Sequence, residues 1–326
     1  MRRRKLLFAA SALLAGAFPV YAQRAAGARR VALISGGEGE NAPRYLSAFK
    51  DGMKQHGYQE GRDYELAVRY YGSERSRIPA LVDELIAWRA EVIVASISST
   101  AAVVKKRTST IPIVMVTALD AVAEGLVESL ARPGGNLTGM TGLGPAQHAK
   151  LVDITHELLP GARRIALVCN PGAPLAKENV EAAASAAKVH SLQMVSLDLS
   201  GAAGLDRFAK DLLAARADAL VVATDGVLFF QRDAIVQAAF KARIPTIALL
   251  AEFVGSGAVA TLGHDIKANF RNAARYVDRI LKGAKPADLP VEQPIQFELV
   301  LNLKSARMLG VTIPPALMVR ADRLVQ

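Results

Sequence analysis

The sequence predicts an α/β protein built as two doubly wound, Rossmann-like lobes joined by a multi-segment hinge. Three observations carry that prediction. Short Val/Ile-rich runs alternate with segments of helical period, the same order occurs twice, and a glycine-rich stretch separates the two rounds. Unbroken aliphatic runs spaced by helices indicate parallel strands covered on both faces. One large open sheet is the competing arrangement, and the doubling argues against it.

The N-terminus has the order of an export signal. Arg2 to Lys5 are positive, Leu6 to Phe18 are apolar, and Val20-Tyr21-Ala22 offers small residues for cleavage. The apolar run is too short to span a membrane. Residues 1–22 therefore read as a signal peptide, by the general or the twin-arginine route. Removing its four positives from the formal charge of +10 leaves +6, scattered along the chain. That distribution lacks the concentrated basic patch of a nucleic-acid binder.

In the first round, strands are expected at Val31 to Ile34, Tyr64 to Tyr70, Glu91 to Ala95 and Ile111 to Val116. Helices are expected at Arg44 to His56, Arg77 to Arg89 and Thr100 to Thr108. Residues 132–144 hold five glycines and a proline in thirteen positions, which suits a hinge connector. The second round has strands at Ile165 to Cys169, Gln193 to Leu197, Ala219 to Ala223 and Thr246 to Leu249. Its helices are expected at Leu175 to His190, Leu205 to Arg216 and Phe229 to Arg243. Beyond it come a strand at Ala258 to Leu262, an amphipathic helix carrying Phe270, Ala274, Val277, Ile280 and Leu281, and a strand at Phe297 to Leu301. Lys285 to Pro294 contains three prolines and is expected to be extended.

Ligands of open α/β sheets bind outside the carboxyl ends of the strands, so the residues there are the candidates. Ser35 opens a glycine-rich loop after the first strand. Ser98, Ser99 and Thr100 start a helix after the third, where hydroxyls and free N–H groups suit a carboxylate. Asp120 follows the fourth strand. Asn170, Asp225, Gly263 and Asp265 occupy the corresponding ends in the second lobe. Asp120, Asp225 and Asp265 could hold an ammonium group or serve as turn and cap residues. Donors facing carboxylates suggest an amino-acid-like zwitterion.

Enzyme signatures are missing: no Gly-x-Ser-x-Gly, His-Glu-x-x-His, Walker or Cys-x-x-Cys motif occurs. The single Cys169 is read as a buried strand thiol. The five histidines are dispersed, most of them expected at the surface, and His264 alone lies at a strand end by the cleft. No metal site is expected.

Several segments together resemble one family. They are His56 to Asp63, Leu130 to Gly139, Ile280 to Pro294, Phe297 to Lys304, Leu309 to Pro315, and Ala321-Asp322. On these the chain is similar to the ABC transporter substrate-binding proteins, which include tryptophan- and tyrosine-binding import proteins. The resemblance implies a type I periplasmic-binding-protein fold with a three-segment hinge. Its lobes would be residues 29–143 with 265–290, and 144–264 with 291–326. It also implies a periplasmic monomer without cofactor, partnered by an ABC permease and ATPase at the inner membrane. Its ligand positions correspond to Ser98, Ser99, Thr100, Asp120, Asn170, Asp225 and Asp265. This chain has Leu119-Asp120-Ala121 where the family commonly has Gly-Asp-Pro, and Leu262-Gly263-His264-Asp265 where it has Tyr-Gly-Pro-Asp. The aspartates persist but the tyrosine is lost, so the expected ligand widens to an amino acid, a small carboxylate or an aromatic acid. The alternatives are a sensory module presenting the same closed form to a receptor, and a small-molecule enzyme on the same scaffold.

Overall fold

The structure is a computed structural model that describes residues 27–326 except 37–40, 73 and 294–296. The expected signal peptide, Gly37 and Gly39 of the first loop, and Pro294 lie outside the described residues.

The first lobe is laid down as β1 (Arg29–Ser35), α1 (Asn41–Gln55), β2 (Tyr64–Tyr70), α2 (Ile78–Ala87), β3 (Val92–Ala95), α3 (Ser98–Arg107), β4 (Ile113–Met115) and β5 (Leu137–Gly139). Its five strands pair in the order β2-β1-β3-β4-β5, all parallel. Side chains alternate across this sheet. Val31, Leu33, Val92 and Val94 enter one core, while Ala32, Ile34, Ile93 and Ala95 enter the other. Burial on both faces is why these strands are unbroken aliphatic runs rather than alternating ones.

The second lobe runs α4 (Ala146–Leu158), β6 (Arg164–Cys169), α5 (Ala176–Val189), β7 (Gln193–Asp198), α6 (Leu205–Ala215), β8 (Ala219–Val222), α7 (Gly226–Phe230), α8 (Arg232–Lys241), β9 (Thr246–Ala248), α9 (Glu252–Ser256) and β10 (Ala260–Gly263). The chain continues through α10 (Ile266–Leu281), β11 (Glu298–Asn302), α11 (Leu303–Leu309), α12 (Pro315–Arg320) and β12 (Arg323–Val325). The seven strands of the second sheet pair as β12-β11-β10-β9-β8-β6-β7. Only β11 against β10 is antiparallel. Two separate sheets replace the single-sheet alternative.

Helix α10 packs against the first sheet although it follows β10 of the second. Its Phe270, Ala273, Ala274 and Val277 share a core with Phe49 and Met53 of α1. A Cβ at Gly52 would lie 2.4 Å from the Arg271 carbonyl oxygen, so glycine is what lets α1 and α10 approach this closely. After α10 the chain makes a short 3-10 turn at Pro286–Asp288 and returns to the second sheet at β11.

The lobes are therefore joined three times: after β5, after β10 and before β11. Two of these crossings run side by side. Glu292 N–H donates to the Gly139 carbonyl at 3.0 Å, Thr141 N–H to the Glu292 carbonyl at 2.9 Å, and Gln293 Nε2 to the Gly142 carbonyl at 3.1 Å.

Three local expectations change. The stretch 132–144 is not all connector, because Leu137–Gly139 is the edge strand β5. A three-residue strand is too short to show a period, and Gly139 belongs there because a Cβ would fall 2.0 Å from the Met115 carbonyl oxygen. The helix expected over Phe229 to Arg243 is interrupted at Gln231, and Asp225 caps the short α7 before it. His148 is not at the surface: it is wholly buried in α4, where its Nε2 accepts the Thr224 N–H at 3.1 Å. Cys169 is buried, as its strand position suggested.

Candidate functional site

The strand ends of both sheets open into one cavity of about 140 Å³ between the lobes. Ser35, Ser96 and Thr117 reach it from the ends of β1, β3 and β4, and Thr224, Leu249 and His264 from the ends of β8, β9 and β10. By the same measure one water needs roughly 10–15 Å³. The space thus suits a small organic molecule.

The lobes are closed over this cavity. Arg75 of the first lobe donates to Asp225 of the second at 3.3 Å. Tyr45 on α1 donates its hydroxyl to Glu252 on α9. Thr117 Oγ1 and His264 Nε2 lie 3.3 Å apart near the hinge. A Cβ at Gly36 would come within 2.5 Å of Phe230 Cζ and 2.9 Å of Tyr71, so this glycine admits the Phe230 ring against the first lobe.

The walls are mainly apolar. Tyr45, Tyr71, Phe229, Phe230 and Phe270 all line the cavity. Tyr45 stacks on Phe270 with centroids 5.1 Å apart. Phe229 and Phe230 meet edge to face at 5.7 Å. Burial and the Glu252 carboxylate hold the Tyr45 hydroxyl protonated far above its ordinary range, and burial also raises Tyr71.

The polar groups are few and placed. Ser98 and Ser99 form the first turn of α3. The preceding Ile97 is extended and no side chain caps the helix, so the first-turn N–H groups and the helix dipole favour an anion. The buried Oγ of Ser99, Oγ1 of Thr224 and Nδ1 of His264 have no hydrogen-bond partner among the described residues. Among the described residues Arg75 is the one Lys or Arg in the lining. Burial pushes the His264 imidazole below its usual value, which keeps it neutral near pH 7.

Of the positions expected from sequence, Ser35, Ser98, Ser99 and Asp225 line the cavity. Asp225 is not free to hold an ammonium group. Its Oδ1 accepts from Val227 N, Leu228 N and Asn170 Nδ2, and its Oδ2 from Arg75. Asn170 stands behind it, with its own Oδ1 accepting the Gly172 N–H at 3.1 Å. The remaining four lie outside the lining. Thr100 is fully buried and hydrogen-bonded to the Tyr71 hydroxyl at 2.9 Å. Asp120 caps a turn, accepting the N–H groups of Val122 and Ala123 at 3.1 and 3.0 Å. Gly263 lies where a Cβ would fall 1.8 Å from the Leu249 carbonyl oxygen, so it serves strand packing. Asp265 precedes α10.

Sequence reasoning passed over Arg75, Glu124, Tyr45 and the Phe229-Phe230 pair. Arg75 opens a short 3-10 turn and Glu124 sits in a loop, neither with a motif. The phenylalanines look like the start of an amphipathic helix, and only the Thr224-Asp225-Gly226 cap just before them hinted at a short helix at the cleft. Among the described residues no group of three or more His, Cys, Asp or Glu could hold a metal ion, and no helix is long and apolar enough to cross a membrane.

Two doubly wound lobes hinged by three crossings and closed over a cavity at their strand ends define a binding protein of the type I periplasmic fold. The chain belongs to the ABC transporter substrate binding protein family, which it matches over residues 30–325. It is similar to a conserved domain protein from Vibrio cholerae O1 biovar El Tor, at 28% identity and a TM-score of 0.85, covering 91% of this chain and all (100%) of that one. A Streptococcus pneumoniae ABC domain in complex with L-Trp shares the fold at 22% identity and a TM-score of 0.82, over 90% of this chain and 100% of that one. The tyrosine-binding protein of Clostridioides difficile is 24% identical over 254 residues, 78% of this chain and 73% of its own.

Proposed function

We propose that this protein captures a small carboxylate with a flat apolar body, an amino acid or an aromatic acid, and delivers it to an ABC permease. The observation that carries this reading is the pairing within one enclosed cavity of an uncapped helix start, Ser98 and Ser99, with the aromatic walls Tyr45, Phe229, Phe230 and Phe270. The α3 N-terminus and Arg75 attract the carboxylate, the rings bury the body, and lobe closure excludes water. Family membership supports the transport role and a permease with its ATPase as partners. The sequence of residues 1–22 supports export to the periplasm. The lobe division at 29–143 with 265–290 and 144–264 with 291–326 accords with α10 packing on the first sheet and β11 joining the second. The reading includes a monomer without cofactor or catalytic step.

The test is a thermal-shift screen of amino acids and aryl carboxylates on the purified chain, with mass spectrometry of co-purified small molecules. A hit should raise Tm with ligand concentration. Full indifference to every carboxylate, or turnover of the bound compound, would overturn the reading.

A further inference from the structure

One cavity-lining carboxylate remains to be placed. Glu124 lies in the loop after β4, and its Oε1 accepts the backbone N–H groups of Leu119 at 3.0 Å and Asp120 at 3.1 Å. No described residue donates to Oε2. Among the described residues, the only carboxylates in the lining are Glu124 and Asp225, and the only Lys or Arg is Arg75, which is ion-paired to Asp225. With His264 neutral, the Arg75–Asp225 pair cancels and the described lining keeps one uncompensated negative charge, that of Glu124.

A plain carboxylate would bring a second negative charge into this cavity, where like charges repel more strongly than in bulk water. A zwitterion brings none in net, and its ammonium supplies the missing counter-ion. We infer that Glu124 is the ammonium-reading residue of the cleft, and that the protein selects aromatic α-amino acids over the matching des-amino acids. This assignment rests on the proposed binding of a carboxylate at the α3 N-terminus. It transfers to Glu124 the role that the sequence suggested for Asp120, which lies outside the lining, and for Asp225, whose two oxygens are taken by Val227 N, Leu228 N, Asn170 and Arg75. Fixing Oε1 by two N–H donors also positions the carboxylate in advance, so little side-chain ordering is needed when the ligand arrives.

The experiment is calorimetric titration of the whole protein with matched pairs: L-phenylalanine against 3-phenylpropanoate, L-tyrosine against 3-(4-hydroxyphenyl)propanoate, and L-tryptophan against indole-3-propanoate. The wild type should bind at least one amino acid about tenfold or more tighter than its partner, a difference of about 1.4 kcal/mol. Glu124→Gln keeps an oxygen acceptor for Leu119 and Asp120 but removes the charge. It should weaken that amino acid about tenfold and leave the des-amino acid within about threefold. If the wild type prefers the des-amino acids, or if Glu124→Gln leaves amino-acid affinity unchanged, the assignment is wrong while the carboxylate reading stands. If no compound of either set binds the wild type, both fall. Should Glu124→Gln not fold, the wild-type preference still decides.

Discussion

The ion pair between Arg75 and Asp225 bridges the lobes, and its removal should loosen closure by an amount the geometry allows to be worked out. Unit charges 3.3 Å apart attract by about 5 kcal/mol at an effective dielectric near 20. Most of that is offset. The Arg75 side chain is 33% exposed and screened, and the Asp225 side chain, at 4%, has already lost its hydration. The net value should sit near the lower end for a hydrogen bond to a charged group, about 1–2 kcal/mol. Asp225→Asn keeps an oxygen for the Val227 N–H but lacks the charge. Arg75→Gln removes the other partner. Each should shift the open–closed balance roughly tenfold toward open. Small-angle scattering of the ligand-free variants should show a larger radius of gyration; ligand affinity should fall by at most the same factor in Asp225→Asn and by more in Arg75→Gln, which also loses its contact with the ligand. Because Arg75 also faces the ligand, the double-mutant cycle isolates the pair's own term. A coupling energy below about 0.3 kcal/mol, with unchanged scattering in both single variants, would refute the view that this pair latches the lobes.

Other consequences can be measured directly. His148 is wholly buried and its imidazole is pushed down to about 4 from an ordinary value near 6.5. The unfolded chain therefore takes up a proton that the folded one refuses, and stability falls as pH drops from about 6.5 toward 4. The slope is about 1.4 kcal/mol per pH unit, about 3 kcal/mol in all; Tm measured across that window should decline, with His264 adding in the same direction, and His148→Gln should flatten the curve. Gly52→Ala would stabilise an open helix by about 1 kcal/mol, but here the new Cβ meets the Arg271 carbonyl oxygen at 2.4 Å. Denaturant unfolding should show a loss of about 1–3 kcal/mol, and a gain would mean that α1 and α10 are not seated as described. Phe230→Ala removes a ring from the cavity wall and from its seat against Gly36 and should weaken an aromatic ligand about tenfold, read by calorimetry.

The strands and most helices were legible because both sheets are buried on two faces, which writes aliphatic runs such as Val31 to Ile34 and Ile165 to Cys169 directly into the chain. Strand β5 was not legible, since three residues carry no period and its glycine mimics a connector. The cleft was legible where strand ends meet helix starts, at Ser35, Ser98, Ser99 and Asp225. It was illegible where tertiary placement decides. Asp120 and Glu124 share a loop, and nothing in their spacing says which one caps it and which one faces inward. His148 shows the same limit: a histidine on a helix declares its burial only once a neighbouring strand end, Thr224, supplies the N–H it accepts.

Because α10 lies about four-fifths of the way along the chain yet completes the core around Phe49 and Met53, the amino-terminal half is unfinished when it is first synthesised. Until residue 281 is available, the core that Val31, Leu33 and Val92 share with α1 lacks its α10 contributors Phe270, Ala273, Ala274 and Val277. The first lobe can therefore complete its packing only after most of the second has been made. During synthesis the residues that α10 covers wait for their cover until most of the chain has been made.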